Sequence, residues 1–202
     1  MTKVKICGLK TEEHIHAAIQ SNADFIGFVF APSKRQISID TAKNLAAFIP
    51  TTIKKVGVVV NETSETLHHL FNEIGLDYIQ YHGDESPTFI DDVGLPAIKA
   101  FSISESFNWQ QLASYDVDYF LLDAPGKTHR GGSGETFNWE LLNNCPIPKE
   151  KIILAGGLNT ENVKTAITIT EPYAVDVSSG VEIDGIKNKE LIQQFIEAAK
   201  RS

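Results

Sequence analysis

Cysteine is scarce in this sequence, with only Cys7 and Cys145 among 202 residues. Two cysteines are too few for the disulfide framework that stabilises small secreted domains, so we expect both to be reduced thiols. No Cys-x-x-Cys or His-Glu-x-x-His pattern and no other cluster of histidine and cysteine occurs along the chain. The sequence therefore predicts no metal site.

Long apolar runs and an excess of positive charge are also missing. No run approaches the roughly 18–20 apolar residues of a membrane-spanning helix. Lys3, Lys5 and Lys10 interrupt the region where a secretion signal would have its apolar core. The formal net charge is −8, whereas a nucleic-acid backbone requires a basic face. We therefore expect a cytoplasmic protein without a membrane or nucleic-acid partner, and a small anionic ligand held by a few local donors is still compatible with this charge.

The sequence also lacks a stretch rich in proline, glycine and serine that would separate two domains. A chain of 202 residues can bury one large core but is short for two domains. We therefore expect a single domain over residues 1–202. One loop, 124–137, is long and rich in glycine.

Apolar runs recur along the chain, and several are continuous, which is typical of parallel strands covered on both sides. Amphipathic patterns lie between the runs and predict helices. Asparagine and serine residues just ahead of these patterns are expected to cap the helices, Asn61 among them. The runs are VKIC (4–7), FIGFVF (25–30), KVGVVV (55–60), DYIQYH (77–82), AIKAF (97–101), DYFLLD (118–123), KIILAG (151–156) and YAVDVS (173–178), and the helical patterns cover 12–20, 41–48, 64–74, 109–114, 161–167 and 191–200.

The spacing of these runs predicts the fold. Strand starts roughly 20–30 residues apart match one strand–helix unit with its crossover. Eight such units indicate a closed (β/α)₈ TIM barrel of the α/β class, with a long, open, doubly wound sheet as the alternative. The barrel is favoured because the last strand is followed by a helix. The chain is short for a fold that usually takes about 250 residues, so we expect little decoration around the barrel.

Glycine and serine residues follow the last two predicted strands, where barrels of this kind most often bind phosphate. Backbone N–H groups that can approach an anion closely, together with hydroxyl groups, suit a phosphate. The alternative is that the glycines only form tight turns, but the coincidence of both loops favours phosphate. The residues predicted to bind phosphate are Gly156, Gly157, Ser178, Ser179 and Gly180.

Two proton-transfer side chains end strands 1 and 6, namely Cys7 and Asp123. Strands 6, 7, 8 and 1 are consecutive around a barrel. A phosphate held by loops 7 and 8 would therefore direct its sugar between Asp123 and Cys7, as an acid and a base require. Alternation along the strands also points Lys5 and Asp176 inward, where they can pair beneath Cys7. The ammonium would lower the thiol pKa towards working pH, or the pair is a structural part of the barrel core.

The motifs KICGL, FVFAPSKRQIS, VGVVVNE, QYHGDE, LLDA…GGSGETFNW, ILAGGLNTENV and AVDVSSGVE occur in this order between residue 3 and about residue 182. Together they closely resemble the phosphoribosylanthranilate isomerase family of tryptophan biosynthesis. The combination of KICG, GGSG-x-x-F and DVSSGVE is specific to it. The resemblance implies that a small phosphorylated substrate, N-(5′-phosphoribosyl)anthranilate, is converted to 1-(2-carboxyphenylamino)-1-deoxyribulose 5-phosphate by an Amadori rearrangement without a cofactor.

The resemblance also implies roles for individual residues. Asp123 would be the general acid that protonates the ribose ring oxygen, and Cys7 the general base that removes the C2′ proton. An acid must be protonated when it acts, so we expect burial or a closing lid to raise the pKa of Asp123. Arg35 would hold the anthranilate carboxylate with its planar fork. Further residues expected to contact the substrate are Gly131, Gly132 and Asp176.

His82 ends strand 4 and faces inward by alternation, so it either lines the pocket or is a hydrogen-bonded histidine of the barrel core. Two alternatives concern the function as a whole. One is another phosphosugar enzyme, such as a ribulose-phosphate epimerase or an indole-glycerol-phosphate synthase. The other is a non-catalytic phosphosugar-binding barrel that acts as a sensor or scaffold. The oligomeric state, monomer or homodimer, is not predicted by any apolar surface stripe.

Overall fold

Eight parallel strands follow one another in chain order around a closed barrel in the computed structural model, which describes residues 1–125 and 136–201. The predicted barrel is confirmed, and the open sheet is excluded because the last strand pairs with the first. The strands are β1 Lys3–Cys7, β2 Phe25–Val29, β3 Lys54–Val59, β4 Tyr78–Tyr81, β5 Ala97–Ser102, β6 Tyr119–Asp123, β7 Ile152–Leu154 and β8 Ala174–Val177.

Each connection between consecutive strands carries an α-helix or a 3₁₀ helix. In the fifth and sixth units the connection carries a 3₁₀ helix, Trp109–Ser114 and Trp139–Asn144, where a longer barrel has an α-helix. After β8 the chain forms a two-stranded hairpin of β9 (Glu182–Ile183) and β10 (Ile186–Lys187) before its last helix. The α-helices are α1 Glu12–Gln20, α2 Ile39–Ala46, α3 Ser64–Ile74, α4 Pro87–Val93, α5 Val163–Thr170 and α6 Lys189–Lys200, none of which is long and apolar enough to cross a membrane within the part of the chain described.

Short polar side chains cap most of these helices, as the sequence predicts. Ser86 accepts a hydrogen bond from the backbone N–H of Phe89 at the start of α4. The prediction for Asn61 is wrong, because Thr63 is the residue that caps α3. Asn61 instead adopts a left-handed conformation, with φ at 53°, and its backbone N–H donates to Glu85.

The core has two layers. One layer lies between the strands and the helices, and it includes Val4, Ile6 and Phe28. The other fills the barrel itself, and at the amino ends of the strands it consists of aromatic rings from alternate strands. These rings lie 4.9–6.4 Å apart in edge-to-face, tilted and stacked pairs and close this end of the barrel; they belong to Phe25, Tyr78, Tyr119 and Tyr173.

A buried ion pair lies above the aromatic rings, where β8 closes onto β1. The register pairs Lys5 with Asp176, and Lys5 Nζ donates to Asp176 Oδ1 at 2.9 Å. Lys5 is completely buried, so water cannot solvate its ammonium group, and the Asp176 carboxylate compensates the positive charge instead. The predicted pairing of these two side chains beneath Cys7 is therefore confirmed.

We expect Lys5→Met alone to lower the free energy of unfolding by about 3–5 kcal/mol, because the substitution leaves Asp176 buried without its partner. The double variant Lys5→Met/Asp176→Leu should lose clearly less than the sum of the single losses, as measured by urea unfolding. The exposed pair Lys43–Glu73, at 2.7 Å, is the matched control, and its cycle should show much weaker coupling because solvent screens the two charges. If the losses of unfolding free energy in the Lys5–Asp176 double-mutant cycle are additive, the two residues do not form a stabilising buried ion pair.

Candidate active site

The carboxyl ends of the strands form one rim of the barrel, here called the carboxyl rim. Cys7 and Asp123 are the last residues of β1 and β6 and are both buried. Ser178 directly follows β8. The predicted acid, base and phosphate residues therefore lie on the same rim, because parallel strands in a closed barrel all end there.

Cys7 lies in a small buried cluster with Val29, Ala31 and Val58. Gly27 on β2 faces it in the register, and a Cβ at that position would lie 2.9 Å from Cys7 Sγ and 3.2 Å from Lys5 Nζ. The missing side chain thus leaves room for the thiol and the ammonium to meet.

The pKa of Cys7 is raised, because burial penalises the thiolate more than the neighbouring Lys5 and Lys187 charges favour it. Lys5 does lower this pKa, as one of the two alternatives from the sequence holds, but its influence is smaller than that of burial. Burial could not be measured from the sequence, and it outweighs the ammonium.

The surroundings of Asp123 favour its protonated form. Its Oδ1 accepts a hydrogen bond from the backbone N–H of Ala124 at 2.8 Å. Burial, followed by the negative charge of Asp176, raises its pKa to about 7. The Ala124 N–H and Lys5 oppose this shift but do not cancel it. The expected elevation of the Asp123 pKa by burial is therefore confirmed.

His82 lies beside this carboxyl group, with Nε2 at 3.7 Å from Asp123 Oδ2. Burial lowers the pKa of His82 to about 4, so the ring is neutral at physiological pH. The side-chain amide nitrogen of Gln80 lies 3.2 Å from His82 Nδ1. A donating amide leaves Nδ1 as an acceptor, which places the ring proton on Nε2, facing Asp123.

The loops after β7 and β8 pack backbone against backbone. A Cβ on Gly180 would overlap the carbonyl oxygen of Leu158, and a Cβ on Gly156 would overlap the backbone nitrogen of Ala124. Gly156 and Gly157 also have φ values of 87° and 62°, which favour glycine. Close packing and tight turns are thus sufficient structural reasons for these glycines.

The same loops nevertheless present free donors. Among the described residues, the backbone N–H groups of Gly157, Ser179 and Gly180 have no hydrogen-bond acceptor. Such neighbouring N–H groups can bind an anion. Ser178 Oγ instead donates to the backbone carbonyl of Cys7 at 3.2 Å, which connects this loop to β1.

Arg35 already has a carboxylate partner within the chain. Its Nε and Nη2 donate to the two carboxylate oxygens of Glu182 at 2.6 and 2.9 Å. Lys187 Nζ donates to the same carboxylate at 2.8 Å. Burial opposes the charge on Glu182, but the hydrogen bonds from Arg35 and the charge of Lys187 outweigh it and lower its pKa to about 2.

Comparison with known proteins places this geometry in a family. The family model for N-(5′-phosphoribosyl)anthranilate isomerase matches residues 4–198. The isomerase of Listeria welshimeri is 49% identical over 197 residues, covering 98% of each chain. That of Oceanobacillus iheyensis is 46% identical over 200 residues, covering 98% of this chain and 97% of the relative. The chain belongs to the N-(5′-phosphoribosyl)anthranilate isomerase family.

Solved structures of phosphoribosylanthranilate isomerases agree with this assignment. That of Thermus thermophilus superposes with a TM-score of 0.89 at 31% identity over 99% of each chain. Another, in complex with reduced 1-(o-carboxyphenylamino)-1-deoxyribulose 5-phosphate, has a TM-score of 0.83 at 33% identity over the whole of both chains. A Thermotoga maritima structure with the same values is of monomers generated from a dimeric isomerase.

Membership in the phosphoribosylanthranilate isomerase family decides between the functions that the sequence left open. The chain is an isomerase of tryptophan biosynthesis rather than an epimerase, an indole-glycerol-phosphate synthase or a non-catalytic sensor. Among residues 1–125 and 136–201, no three His, Cys, Asp or Glu side chains are grouped to hold a metal ion. Gly131 and Gly132, in the glycine-rich loop predicted at 124–137, lie outside the described residues.

No sequence pattern predicted a role for Glu182 or Lys187. The two residues face each other across a hairpin whose strands are only two residues long, so no periodicity marks it. The Asp184-Gly185 turn between two isoleucines is the signal that could have revealed the hairpin.

The raised pKa of Asp123 has a consequence for stability. The pKa of Asp123 is about 7 in the folded state and near 3.8 in the unfolded state. Protonated Asp123 therefore contributes to the free energy of unfolding in acid, and this contribution is lost as pH rises through 7. Between pH 5 and pH 8, we expect the free energy of unfolding of Asp123→Asn to rise by about 2 kcal/mol relative to that of wild type, as measured by urea unfolding.

Asp24→Asn is the control for this measurement. Burial opposes ionisation of Asp24, but Lys200 and Lys3 outweigh burial and lower its pKa. Its carboxylate is therefore charged in both states throughout this range, and the difference from wild type should stay constant. A constant difference for Asp123→Asn as well would show that its pKa is not raised.

Proposed function

We propose that this chain converts N-(5′-phosphoribosyl)anthranilate to 1-(2-carboxyphenylamino)-1-deoxyribulose 5-phosphate by an Amadori rearrangement that uses no cofactor. The observation that supports this most directly is the pair of proton-transfer groups on one rim, Cys7 and Asp123. They end β1 and β6, with β7, β8 and the Lys5–Asp176 pair between them. A sugar held between them presents one face to each group.

Asp123 acts first in this mechanism. Its pKa of about 7 leaves a substantial protonated fraction at neutral pH. The carboxylic acid donates its proton to the ribose ring oxygen, the C1′–O bond breaks, and the anthranilate nitrogen supplies the electron pair that forms the Schiff base. His82, neutral with a proton on Nε2, can donate a hydrogen bond to the carboxylate that remains.

Cys7 then removes the proton from C2′, and the electron pair of the C–H bond forms the enolamine. The adjacent Lys5 ammonium stabilises the thiolate that this step requires. The enolamine becomes the ketone when C1′ gains a proton and the C2′ hydroxyl loses one. Substrate and product contain the same atoms, and no electrons leave the substrate, so the chemistry requires no redox cofactor.

The charged ends of the substrate have matching donors. We assign the phosphate to the loops after β7 and β8, where the backbone N–H groups of Gly157, Ser179 and Gly180 are free among the described residues. We assign the anthranilate carboxylate to Arg35. The ligand of one solved relative carries both a phosphate and a carboxyphenyl group. The substrate contacts proposed for Asp176, Gly131 and Gly132 stay predictions.

We expect Cys7→Ser and Asp123→Asn each to lower kcat by roughly 10²- to 10⁴-fold, because each removes one proton-transfer group. Phosphoribosylanthranilate generated in situ provides the assay, and loss of its fluorescence reports turnover. Cys145→Ser is the control; Cys145 lies beyond the 3₁₀ helix Trp139–Asn144 and should leave kcat unchanged. Full activity of Cys7→Ser, or no turnover by wild type, would refute the proposal.

The pKa values predict an unusual pH profile. The reactive form carries a Cys7 thiolate and a protonated Asp123, although the thiol pKa is raised from 9.0 and that of Asp123 is about 7. We therefore expect kcat/KM to rise up to about pH 7, to stay level, and to fall only above the thiol pKa. The midpoint of the acidic limb should coincide with the NMR titration of the Asp123 carboxyl carbon.

The NMR titration separates Asp123 from the substrate phosphate, whose second pKa lies near 6. A narrow bell with its alkaline limb at pH 7 would contradict this assignment. It would show that the thiol ionises below Asp123 and that Lys5, rather than burial, dominates the pKa of Cys7.

A further inference from the structure

The hydrogen bonds of Arg35 use one edge of its guanidinium group. Nε and Nη2 form a bidentate pair with Glu182 at 2.6 and 2.9 Å. A guanidinium carries five N–H donors, and the edge formed by its two terminal nitrogens can bind a second carboxylate. No described residue accepts a hydrogen bond from Nη1 of Arg35. Pairing with Glu182 thus leaves Arg35 able to bind a carboxylate.

The backbone of β1 determines where Arg35 lies. Gly8, directly after Cys7, has a φ of 78°, and a Cβ there would lie 2.8 Å from Arg35 Cδ. The stem of the arginine therefore rests on a position that only glycine leaves open. Burial opposes the charge on Arg35, but the hydrogen bonds to Glu182 and the charge of that carboxylate outweigh it and raise the pKa of the guanidinium.

Glu182 is itself held in place and kept charged. Its side chain is 4% exposed, and it contacts Lys187 at 2.8 Å and Lys34 at 3.4 Å. Its pKa of about 2 keeps it anionic at every physiological pH. Lys187 also donates to the backbone carbonyl and to Oγ of Ser178, at 2.8 and 3.2 Å.

The hairpin that carries both residues is a rigid support. Glu182 and Lys187 are directly opposite in the β9–β10 register. Asp184 and Gly185 form its two-residue turn, with φ values of 51° and 79°. The backbone N–H of Asn188 donates to the carbonyl of Val181 at 2.9 Å and closes the base of the hairpin.

We propose that Glu182 is a positioning residue that orients Arg35 for the substrate's aryl carboxylate, with Lys187 linking this orientation to the loop after β8. This inference rests on the proposed function. A free arginine would lose rotamer freedom on binding, whereas the clamped side chain has already lost it, so the bound orientation costs less. Selectivity for a carboxylated aromatic ring then depends on the hairpin as well as on Arg35.

A competing explanation is that Glu182 blocks Arg35 and that the substrate carboxylate must displace it. The two explanations predict opposite changes in ligand affinity when the Glu182 carboxylate is removed. A positioning carboxylate makes the ligand bind more weakly when it is removed, whereas a competitor makes the ligand bind more tightly when it is removed. A purely structural residue would change the affinity for every ligand by the same factor.

The experiment uses Glu182→Gln and two ligands. One is reduced 1-(o-carboxyphenylamino)-1-deoxyribulose 5-phosphate, and the other is the same compound built on aniline, without the carboxylate. We expect calorimetry to show roughly 10- to 100-fold weaker binding of the first ligand and less than about twofold change for the second. KM for the substrate should rise by a similar factor, while kcat changes less than about threefold.

Asp184→Asn is the matched control. It removes one carboxylate from the same hairpin at an exposed position, where asparagine tolerates the left-handed backbone, and it should change neither affinity. In an Arg35→Met background, Glu182→Gln should have no further effect on the carboxylated ligand. If Glu182→Gln does not fold, Glu182→Asp keeps a charge for Lys187 but withdraws the carboxylate from Arg35.

Each outcome decides between the explanations. A selective loss for the carboxylated ligand supports the inference. Tighter binding identifies Glu182 as a competitor, and unchanged or equally reduced affinities exclude a positioning role. A wild-type protein that neither turns over phosphoribosylanthranilate nor binds the carboxylated ligand refutes the proposed function itself. Normal turnover by wild type with an unselective variant refutes only the role of Glu182.

Discussion

The buried ion pair between Lys5 and Asp176 connects the closure of the barrel to the chemistry at its rim. The two residues belong to β1 and β8, the strands whose pairing turns a sheet into a barrel. The two charges have opposite effects on the pKa values at the rim. Asp176 raises the pKa values of both Cys7 and Asp123, and Lys5 lowers both. A substitution at either position is therefore expected to change both the stability of the barrel and the proton affinities of Cys7 and Asp123.

Burial is the larger influence on the pKa values of Cys7 and Asp123, the proposed base and acid, and it favours the neutral form of each. For an acid this is useful, because Asp123 keeps its proton. For a base it is a cost, because Cys7 must ionise in the same dry environment. Gly27 reduces that cost by admitting the Lys5 ammonium next to the sulfur. In the proposed mechanism, only a small fraction of Cys7 is therefore thiolate, while the protonated form of Asp123 is favoured.

Much of the fold and the positions of Cys7 and Asp123 could be predicted from the sequence, because both follow from period-two alternation and from the order of strands in a closed barrel. Lys5 and Asp176 were paired by that reasoning alone. Asn61 was misassigned because the capping signal of Thr63 lies two residues further on. The sequence leaves the net pKa shift of Cys7 open because burial depends on all neighbouring side chains at once. It gives no sign of Glu182 because strands of two residues have no period.

Glycine marks the places where these long-range contacts are made. Gly8 admits the stem of Arg35, Gly27 admits the sulfur and the ammonium, and Gly180 lets the loop after β8 lie against the loop after β7. In each case the neighbour belongs to another strand or loop, so the reason for the glycine is not visible in its own segment. The carboxyl ends of the parallel strands bring these contacts onto one rim. A substitution at such a glycine therefore displaces a side chain or loop held by a different part of the chain.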